Sequence, residues 1–177
     1  MEMFDVLNEM GEFTGRVATR DECHKEGLYH KAVVLFVINS KNQVLIQQRN
    51  RKKKMWPNKW DITAGGHVDT LEFGYEAVIR EAKEEISIDV AERDLIFIGC
   101  TLSHVLQKGM IDKHFNEFYI IKRDLNVRDI SLQLEEVQHI KWIDKMELIK
   151  MIEDRSDELT TKWSCWDYLK KYLELRC

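Results

Sequence analysis

Three glutamates in one short stretch of the chain, Glu81, Glu84 and Glu85, have the type and spacing to bind a metal ion. On a helix they lie side by side, and Glu81 and Glu85 are one turn apart, where like charges repel by roughly 0.2–0.5 kcal/mol. Arg80 can pair with Glu84, but one guanidinium cannot neutralise three carboxylates. A hard divalent cation such as Mg²⁺ can, because it takes carboxylate, water and phosphate oxygens as ligands. A solvated acidic helix face is the simpler alternative.

The helix that would carry these glutamates is predicted to begin between Thr70 and Glu72, because Asp69 and Thr70 are capping residue types. Glu85 borders the apolar face of this helix, where an unpaired carboxylate is costly. The side chains of that face, which must pack on the core, are Tyr75, Val78, Ile79, Ala82 and Ile86.

The spacing around the three glutamates resembles the signature of the Nudix hydrolases, G-x5-E-x7-R-E-U-x-E-E-x-G-U. Here the pattern begins at Gly66, continues through Glu72 and ends with the run from Arg80 to Glu85. Two positions depart from it, Ala82 in place of a larger aliphatic residue and Ser87 in place of the closing glycine. The first is expected to affect packing only. The second suggests that the turn after the helix needs no left-handed residue.

The resemblance implies a reaction and a role for each residue of the signature. Nudix enzymes use Mg²⁺ or Mn²⁺ to hydrolyse nucleoside diphosphates linked to another group, by attack of a metal-bound water. By this likeness Arg80 orients the carboxylates through ion pairs, and Glu72 supports the helix end. The implied metal ligands are Glu81, Glu84, Glu85 and the carbonyl group of Gly66. The candidates for the general base are Glu84, Glu85, Glu117, Glu135 and Glu136, with Glu117 favoured among the more distant residues.

A basic loop precedes the glycine turn and is predicted to bind the substrate's phosphates. It contains Arg49, Lys53 and Lys54 and leads into Trp56. Placed between a strand and the acidic helix, such a loop would hold a diphosphate on the side opposite the metal. The alternative is an ordinary solvated loop. For Trp56 and Trp60, packing is favoured over stacking on a base.

The segment from Tyr29 to His67 also resembles the branch of the fold that includes isopentenyl-diphosphate isomerase. The residues that match are His30, Arg49, Lys53, Trp56, Pro57 and His67, so His67 joins the predicted substrate-binding residues. Gly65 stands where the isomerase has its catalytic cysteine, and Phe115, Asn116 and Glu117 stand where it has E-N-E. A glycine cannot transfer a proton, so the isomerase chemistry is not expected. In the isomerases the histidines matching His30 and His67 bind a metal. The other four histidines, His24, His104, His114 and His139, show no usable spacing.

These patterns together predict a Mg²⁺-dependent hydrolase of a (deoxy)nucleoside diphosphate or another small diphosphate, with Mn²⁺ as an alternative ion. A second hypothesis is a sensor that binds a nucleotide or a related metabolite without hydrolysing it. It is disfavoured because sensors of this fold usually lose the glutamates. An isomerase-like enzyme is the third.

Composition limits the classes of partner. The 177 residues carry a net charge of −4, with 44% hydrophobic and 33% charged residues, as in a globular domain. Neither a stable nucleic-acid partner nor a membrane surface is expected, and a cytoplasmic location is predicted. The cysteines Cys23, Cys100, Cys165 and Cys177 form no C-x-x-C pair, so neither zinc nor a disulfide framework is predicted.

The remaining sequence predicts one domain of the α/β (α+β) class over residues 1–177, with a core at about 30–145. A hairpin at 3–17 turns near Gly11, and a short helix opens with Thr19 and Glu22 and ends at Gly27. Strands are predicted at 30–39, 43–50, 95–107, 112–124 and 137–143, with a turn at Lys108–Gly109. A C-terminal helical extension, 145–177, holds helices at 145–154 and 162–175.

The resemblance implies a Nudix three-layer α/β/α sandwich with a mixed β-sheet, to which the N-terminal hairpin and the C-terminal helices are additions. Aromatic side chains of the last helix would suit the core or packing in a homodimer.

Overall fold

The computed structural model describes residues 2–107 and 109–175. Lys108, half of the predicted turn, and Cys177 lie outside the described residues. None of the described helices combines the length and apolar character needed to cross a membrane. In chain order the elements are β1 (Met3–Leu7), β2 (Phe13–Thr19), α1 (Arg20–Glu26), β3 (Tyr29–Ile38), β4 (Gln43–Arg49), β5 (Trp60–Asp61), β6 (Ala64–His67), α2 (Gly74–Ile86), β7 (Ile96–Gln107), β8 (Met110–Lys122), β9 (Val137–Asp144), α3 (Lys145–Glu153) and α4 (Trp163–Leu175).

The strands form one mixed sheet centred on β3. Along its whole length β3 runs parallel to β8, with Tyr29 beside Lys113 and Ile38 beside Lys122. Its other edge pairs antiparallel with β1, β6 and β4 in turn. A strand covered on both faces is expected to be apolar throughout. The run of Ala32 to Ile38 is buried accordingly, and it lies within the strand predicted at 30–39.

Helices cover both faces of the sheet, which confirms the predicted α/β/α sandwich. On one face the apolar side of α2, including Val78, Ala82 and Ile86, packs on Leu35 and Val37 of β3. On the other face α3 and α4 pack on Phe36 and its neighbours. The aromatic residues of α4 belong to this second core, and Trp166 is fully buried there.

The N-terminal elements follow the predicted turn chemistry. Gly11 has a φ of 81° in the hairpin turn. Thr19 and Glu22 form the predicted capping box at the start of α1, and Gly27 ends the helix in a left-handed conformation. The hairpin and α1 enclose a small apolar cluster around Phe4 and Cys23, and α1 also contacts β8.

The start of α2 differs from the prediction, because it begins at Gly74 rather than between Thr70 and Glu72. Leu71 has a φ of 64°, which a helix does not allow. The Glu72 carboxylate accepts a hydrogen bond from the Asp69 N–H and so holds a turn before the helix. At the start of the helix itself, the Phe73 N–H donates a hydrogen bond to the Glu76 carboxylate.

The end of α2 also corrects the prediction. Ser87 has a φ of 52° and lies in the left-handed region, so the turn does need such a residue. Its N–H donates to the Lys83 carbonyl at 3.1 Å and the Ile88 N–H donates to the Ala82 carbonyl at 3.2 Å, as in an ordinary helix C-terminus. The departure from glycine therefore leaves the geometry of the signature intact and adds backbone strain.

Candidate active site

One cavity of about 290 Å³ brings together most of the predicted site residues. It lies beside β3 and β6, between the C-terminal half of α2 and the start of α4. Of the predicted residues, those that line it are Arg49, Lys53, Trp56, Gly66, His67, Arg80, Glu81, Glu84 and Glu85. Lys54 and Glu117 do not line it, and Glu72 lies behind Arg80.

Arg80 orients the acidic side chains of α2. Its Nε and Nη2 donate to the two carboxylate oxygens of Glu72 at 2.9 Å, and its Nη1 donates to Glu81 Oε1 at 2.8 Å. Its contact with Glu84 is longer, at 3.6 Å. Burial opposes ionisation of Glu72, but the Arg80 and Asp69 hydrogen bonds hold its pKa below the ordinary value. Glu72 therefore supports Arg80, and Arg80 positions Glu81.

The glutamates carry more negative charge than the protein around them neutralises. Burial raises the pKa of Glu85 to about 8, and the nearby Glu81 adds to this effect. Burial also raises the pKa of Glu81, against the pull of Arg80. Within the described part of the chain, Glu85 accepts hydrogen bonds only from neutral donors, at 3.2 Å from Gln47 Nε2 and from the Gly65 N–H. Clustered carboxylates that resist ionisation without a counter-charge fit a bound divalent cation.

Gly66 allows Glu81 to lie against β6. A Cβ atom at position 66 would overlap the Glu81 carboxylate, so no other residue fits with that carboxylate in place. The same crowding affects Gly65, where a Cβ would overlap the Val33 carbonyl oxygen and come within 2.8 Å of Ile62 Cδ1. The position of the isomerase cysteine thus has no room for a side chain in this chain.

The basic loop reaches the cavity through Arg49 and Lys53. Lys53 forms an ion pair with Glu136, which also lines the cavity. Trp56 Nε1 donates to Thr161 Oγ1 at 2.8 Å, so the ring is fixed at the cavity wall. Trp60 packs against the core under α3 and α4, which agrees with the packing role predicted for it.

Glu117 lies on the face of the sheet away from the cavity. Its carboxylate accepts a hydrogen bond from the Tyr119 hydroxyl at 2.8 Å and pairs with Lys31 at 3.0 Å, under the start of α2. Neighbouring residues of a strand face opposite sides, and it is Asn116 that faces the cavity. Among the predicted candidates for the general base, the cavity is lined by Glu84, Glu85 and Glu136.

A cluster of imidazoles forms a second group of metal-ligand type beside the glutamates. It consists of His24, His30, His67, Asp112 and His114, whose ligand atoms lie within 4.8 Å of one another. The Asp112 carboxylate is 2.5 Å from His114 Nε2 and 3.3 Å from His24 Nε2. We refer to these five residues as the histidine cluster.

Two histidines of the cluster, His30 and His67, favour the neutral form that metal binding requires. Burial lowers the pKa of His30 to about 4 and the pKa of His67 well below its ordinary value, with His114 adding to both effects. His30 Nδ1 lies 3.0 Å from the Leu28 carbonyl, which leaves Nε2 facing the cluster. Among the described residues that atom is buried without a hydrogen bond, 3.8 Å from Asp112 Oδ1, whereas His24 Nε2 and Asp112 Oδ1 contact each other. Two imidazoles that favour the neutral form, and a buried nitrogen without a hydrogen bond, fit a metal ion here.

The match to the isomerase E-N-E pointed to the wrong residues of β8. Asp112 and His114 face His30, whereas Phe115 and Glu117, matched above to the isomerase E-N-E, face the other side. The alternation of Asp112 and His114 was a usable signal, because residues two apart share a face of a strand. No sequence signal pointed to His24, because only the fold brings α1 beside β8.

Comparisons with known proteins agree with this geometry. A family model described as the NUDIX domain matches residues 28–163. An uncharacterized Nudix hydrolase of Listeria monocytogenes is 34% identical over 148 residues, which cover 84% of this chain and 83% of that protein. An isopentenyl-diphosphate Delta-isomerase of Escherichia coli is 26% identical over 148 residues, which cover 84% and 80%. The crystal structure of DR0079 from Deinococcus radiodurans covers 98% of both chains with a TM-score of 0.71 at 22% identity, and so shares the fold.

Proposed function

Because this chain belongs to the Nudix family, we propose that it hydrolyses the diphosphate linkage of a (deoxy)nucleoside diphosphate, a derivative of one or another small diphosphate, with Mg²⁺ or Mn²⁺ as cofactor. Membership confirms the predicted family and the enzyme class, a hydrolase of acid anhydrides. One observation carries the proposal for the site. Glu81, Glu84 and Glu85 line the same cavity as the cations Arg49 and Lys53.

Different residues of the cavity would bind the cation and the phosphates. Glu81, Glu84 and Glu85 would hold the cation, together with the carbonyl group of Gly66. A divalent cation there supplies positive charge to the phosphoryl oxygens and lowers the pKa of a water. Arg49 and Lys53 bind the phosphates from the opposite wall.

Arg80 keeps Glu81 in position, and Glu84 takes the proton from the attacking water. The Glu84 side chain is 52% exposed and has the longer contact with Arg80, so it is the least constrained of the three cation-binding glutamates. Glu117 has no part in this scheme, because its carboxylate is engaged on the other face of the sheet.

The histidine cluster is the second candidate metal position in the proposal. Its donor set of four imidazoles and one carboxylate suits a transition metal such as Mn²⁺ or Zn²⁺ better than Mg²⁺, which prefers oxygen ligands. The buried His30 Nε2, which has no hydrogen bond among the described residues, supports this position independently of the glutamates.

An isomerase is the less favoured alternative. Gly65 offers no proton donor, and Cys165, which lines the same cavity, does not replace one. Burial raises the pKa of the Cys165 thiol to about 11, so the thiolate needed as a base is not formed near neutral pH. A cytoplasmic location, a single domain over residues 1–177 and a homodimer stay predictions.

The test is release of phosphate or nucleoside monophosphate from a panel of nucleoside diphosphates, nucleotide sugars, dinucleotides and isopentenyl diphosphate. Wild type should turn over at least one compound with Mg²⁺. Glu85→Gln should lose on the order of 10²-fold in kcat, whereas Glu147→Gln, an exposed carboxylate on α3, should keep full activity. No turnover by wild type, combined with tight binding of a panel compound, would instead favour the sensor.

A further inference from the structure

A buried carboxylate next to the cavity holds two cations from distant parts of the chain. Asp61 is fully buried, and its Oδ2 lies 2.8 Å from Lys162 Nζ and 3.2 Å from Arg49 Nη1. Its Oδ1 accepts hydrogen bonds from the Ile62 N–H at 2.9 Å and from Thr160 Oγ1 at 3.1 Å. Burial alone would raise the pKa of Asp61, but Lys162 and Arg49 hold it below the ordinary value. Asp61 is therefore an ionised anchor.

The two cations carry one more positive charge than Asp61 neutralises, and both of them line the cavity. Both also lie beside the ring of Trp56, with the Arg49 guanidinium 6.0 Å and the Lys162 ammonium 5.7 Å from its centre. Arg49 Nε further donates to the Met55 carbonyl at 3.1 Å. These contacts fix both side chains before a ligand arrives, which lowers the entropy that binding would otherwise cost.

Lys162 comes from the segment that joins α3 and α4, outside the part of the chain that supplies the signature. This segment is attached to the sheet, since Thr160 N–H donates to the Trp60 carbonyl at 2.9 Å and Trp60 N–H donates to the Glu158 carbonyl at 2.8 Å. Its Lys162 lines the cavity together with Arg49. The C-terminal extension thus contributes a charged wall to the site.

We propose that Arg49 and Lys162, anchored by Asp61, form a clamp for the terminal phosphoryl group of the substrate. Lys162 is then a substrate-binding residue, and the preferred substrates are diphosphate monoesters, whose outer phosphate is free. The positive charge that the two cations keep beyond Asp61, together with their N–H donors, suits the free terminal phosphate of a monoester. The cavity volume of about 290 Å³ is at the small end for ligand sites. This inference rests on the proposed function, which identifies the substrate as a diphosphate.

The test measures binding of inorganic diphosphate in the presence of Mg²⁺ by titration calorimetry. Lys162→Met should weaken binding at least tenfold, because it removes a charge-assisted contact, and Lys162→Arg should recover part of the loss. Lys170→Met is the matched control, since Lys170 lies on α4 but pairs with Glu153 at 2.7 Å and does not line the cavity. The Lys162→Met protein should fold, because Asp61 keeps its contacts with Arg49, Thr160 and Ile62.

Either of two binding results would overturn the clamp. One is wild-type protein that does not bind inorganic diphosphate, and the other is folded Lys162→Met protein that binds it as tightly as wild type. A comparison of kcat/KM for a nucleoside diphosphate and a nucleotide sugar tests the substrate class, and a preference for the nucleotide sugar contradicts it. Hydrolysis that does not depend on Lys162 would sink the clamp and leave the hydrolase. Diphosphate binding that depends on Lys162, without turnover of any compound, would support the clamp and contradict the hydrolase.

Discussion

Gly65 and Gly66 determine how closely β6 approaches its neighbours. A side chain at Gly66 would meet the Glu81 carboxylate, and one at Gly65 would meet the backbone of Val33. The second contact is the more severe constraint, because a strand backbone cannot turn away as a carboxylate can. Loss of the isomerase cysteine and tight pairing of β6 with β3 are therefore linked in this chain.

Introducing a cysteine at position 65 should therefore not produce isomerase activity. Gly65→Cys is expected to lower the free energy of unfolding by about 1–3 kcal/mol, as for other overpacked sites, and to give no isomerisation of isopentenyl diphosphate. Urea denaturation measures the first effect and proton exchange into the substrate the second. Gly65→Ala, which adds the Cβ without the sulfur, should cost a similar amount. A stable Gly65→Cys protein that isomerises the substrate would refute the steric argument.

The residues of the signature could be found from the sequence because they occupy one helix and the turn before it, where spacing alone fixes their geometry. The roles proposed for Asp61 and Lys162 could not be found in this way. They lie far apart in the chain, and only the packing of the α3–α4 connection on β5 brings them together. Glu117 illustrates the opposite error, since a shift of one position along a strand moves a side chain to the other face of the sheet.

The ends of α2 position the glutamates. Its start is fixed by the Asp69–Glu72 turn and its end by Ser87 in the left-handed conformation. Most other elements were predictable because their signals are local, such as the capping box of Thr19 and Glu22 or the continuous apolar run of β3. The start of α2 was not, because Glu72 contacts Arg80, which lies two turns into the helix.

Replacing Ser87 by glycine should stabilise the protein. A residue with a Cβ is strained at a φ of 52°, and glycine is not, so Ser87→Gly is expected to raise the free energy of unfolding by about 0.5–1 kcal/mol. The change would appear as a higher urea midpoint with an unchanged slope. Ser87→Ala keeps the Cβ and should give no gain. An equal gain from both variants would show that the backbone conformation is not the cause.

The histidine cluster connects α1, β3, β6 and β8, which extend from the N-terminal part of the chain to the strand beside β3. A metal bound there would link these elements in the folded state, whereas the unfolded chain cannot present the same five ligands together. The ion should therefore stabilise the whole domain rather than one loop.

Mn²⁺ or Zn²⁺ should raise the Tm of the metal-free protein by about 5–10 °C at a hundred times its Kd. His24→Asn should remove most of this increment, since His24 is a cluster residue that does not line the cavity. The exposed His139 provides the control, and His139→Asn should keep the full increment. The quantity to compare between variants is the rise in Tm on adding metal, because each substitution can also change the Tm of the metal-free protein. Mg²⁺ giving an equal increment that survives His24→Asn would contradict a transition-metal site here.

The parallel pairing of β3 with β8 has a consequence for the order in which the chain folds. Tyr29–Ile38 cannot complete its central position until Met110–Lys122 has been synthesised and has closed a long loop around α2. Contacts between residues so distant in sequence slow folding, because the entropy of loop closure is lost before the pairing is gained. We therefore expect the signature helix to form early as local structure, and the cavity around it to appear only in the final, rate-limiting step.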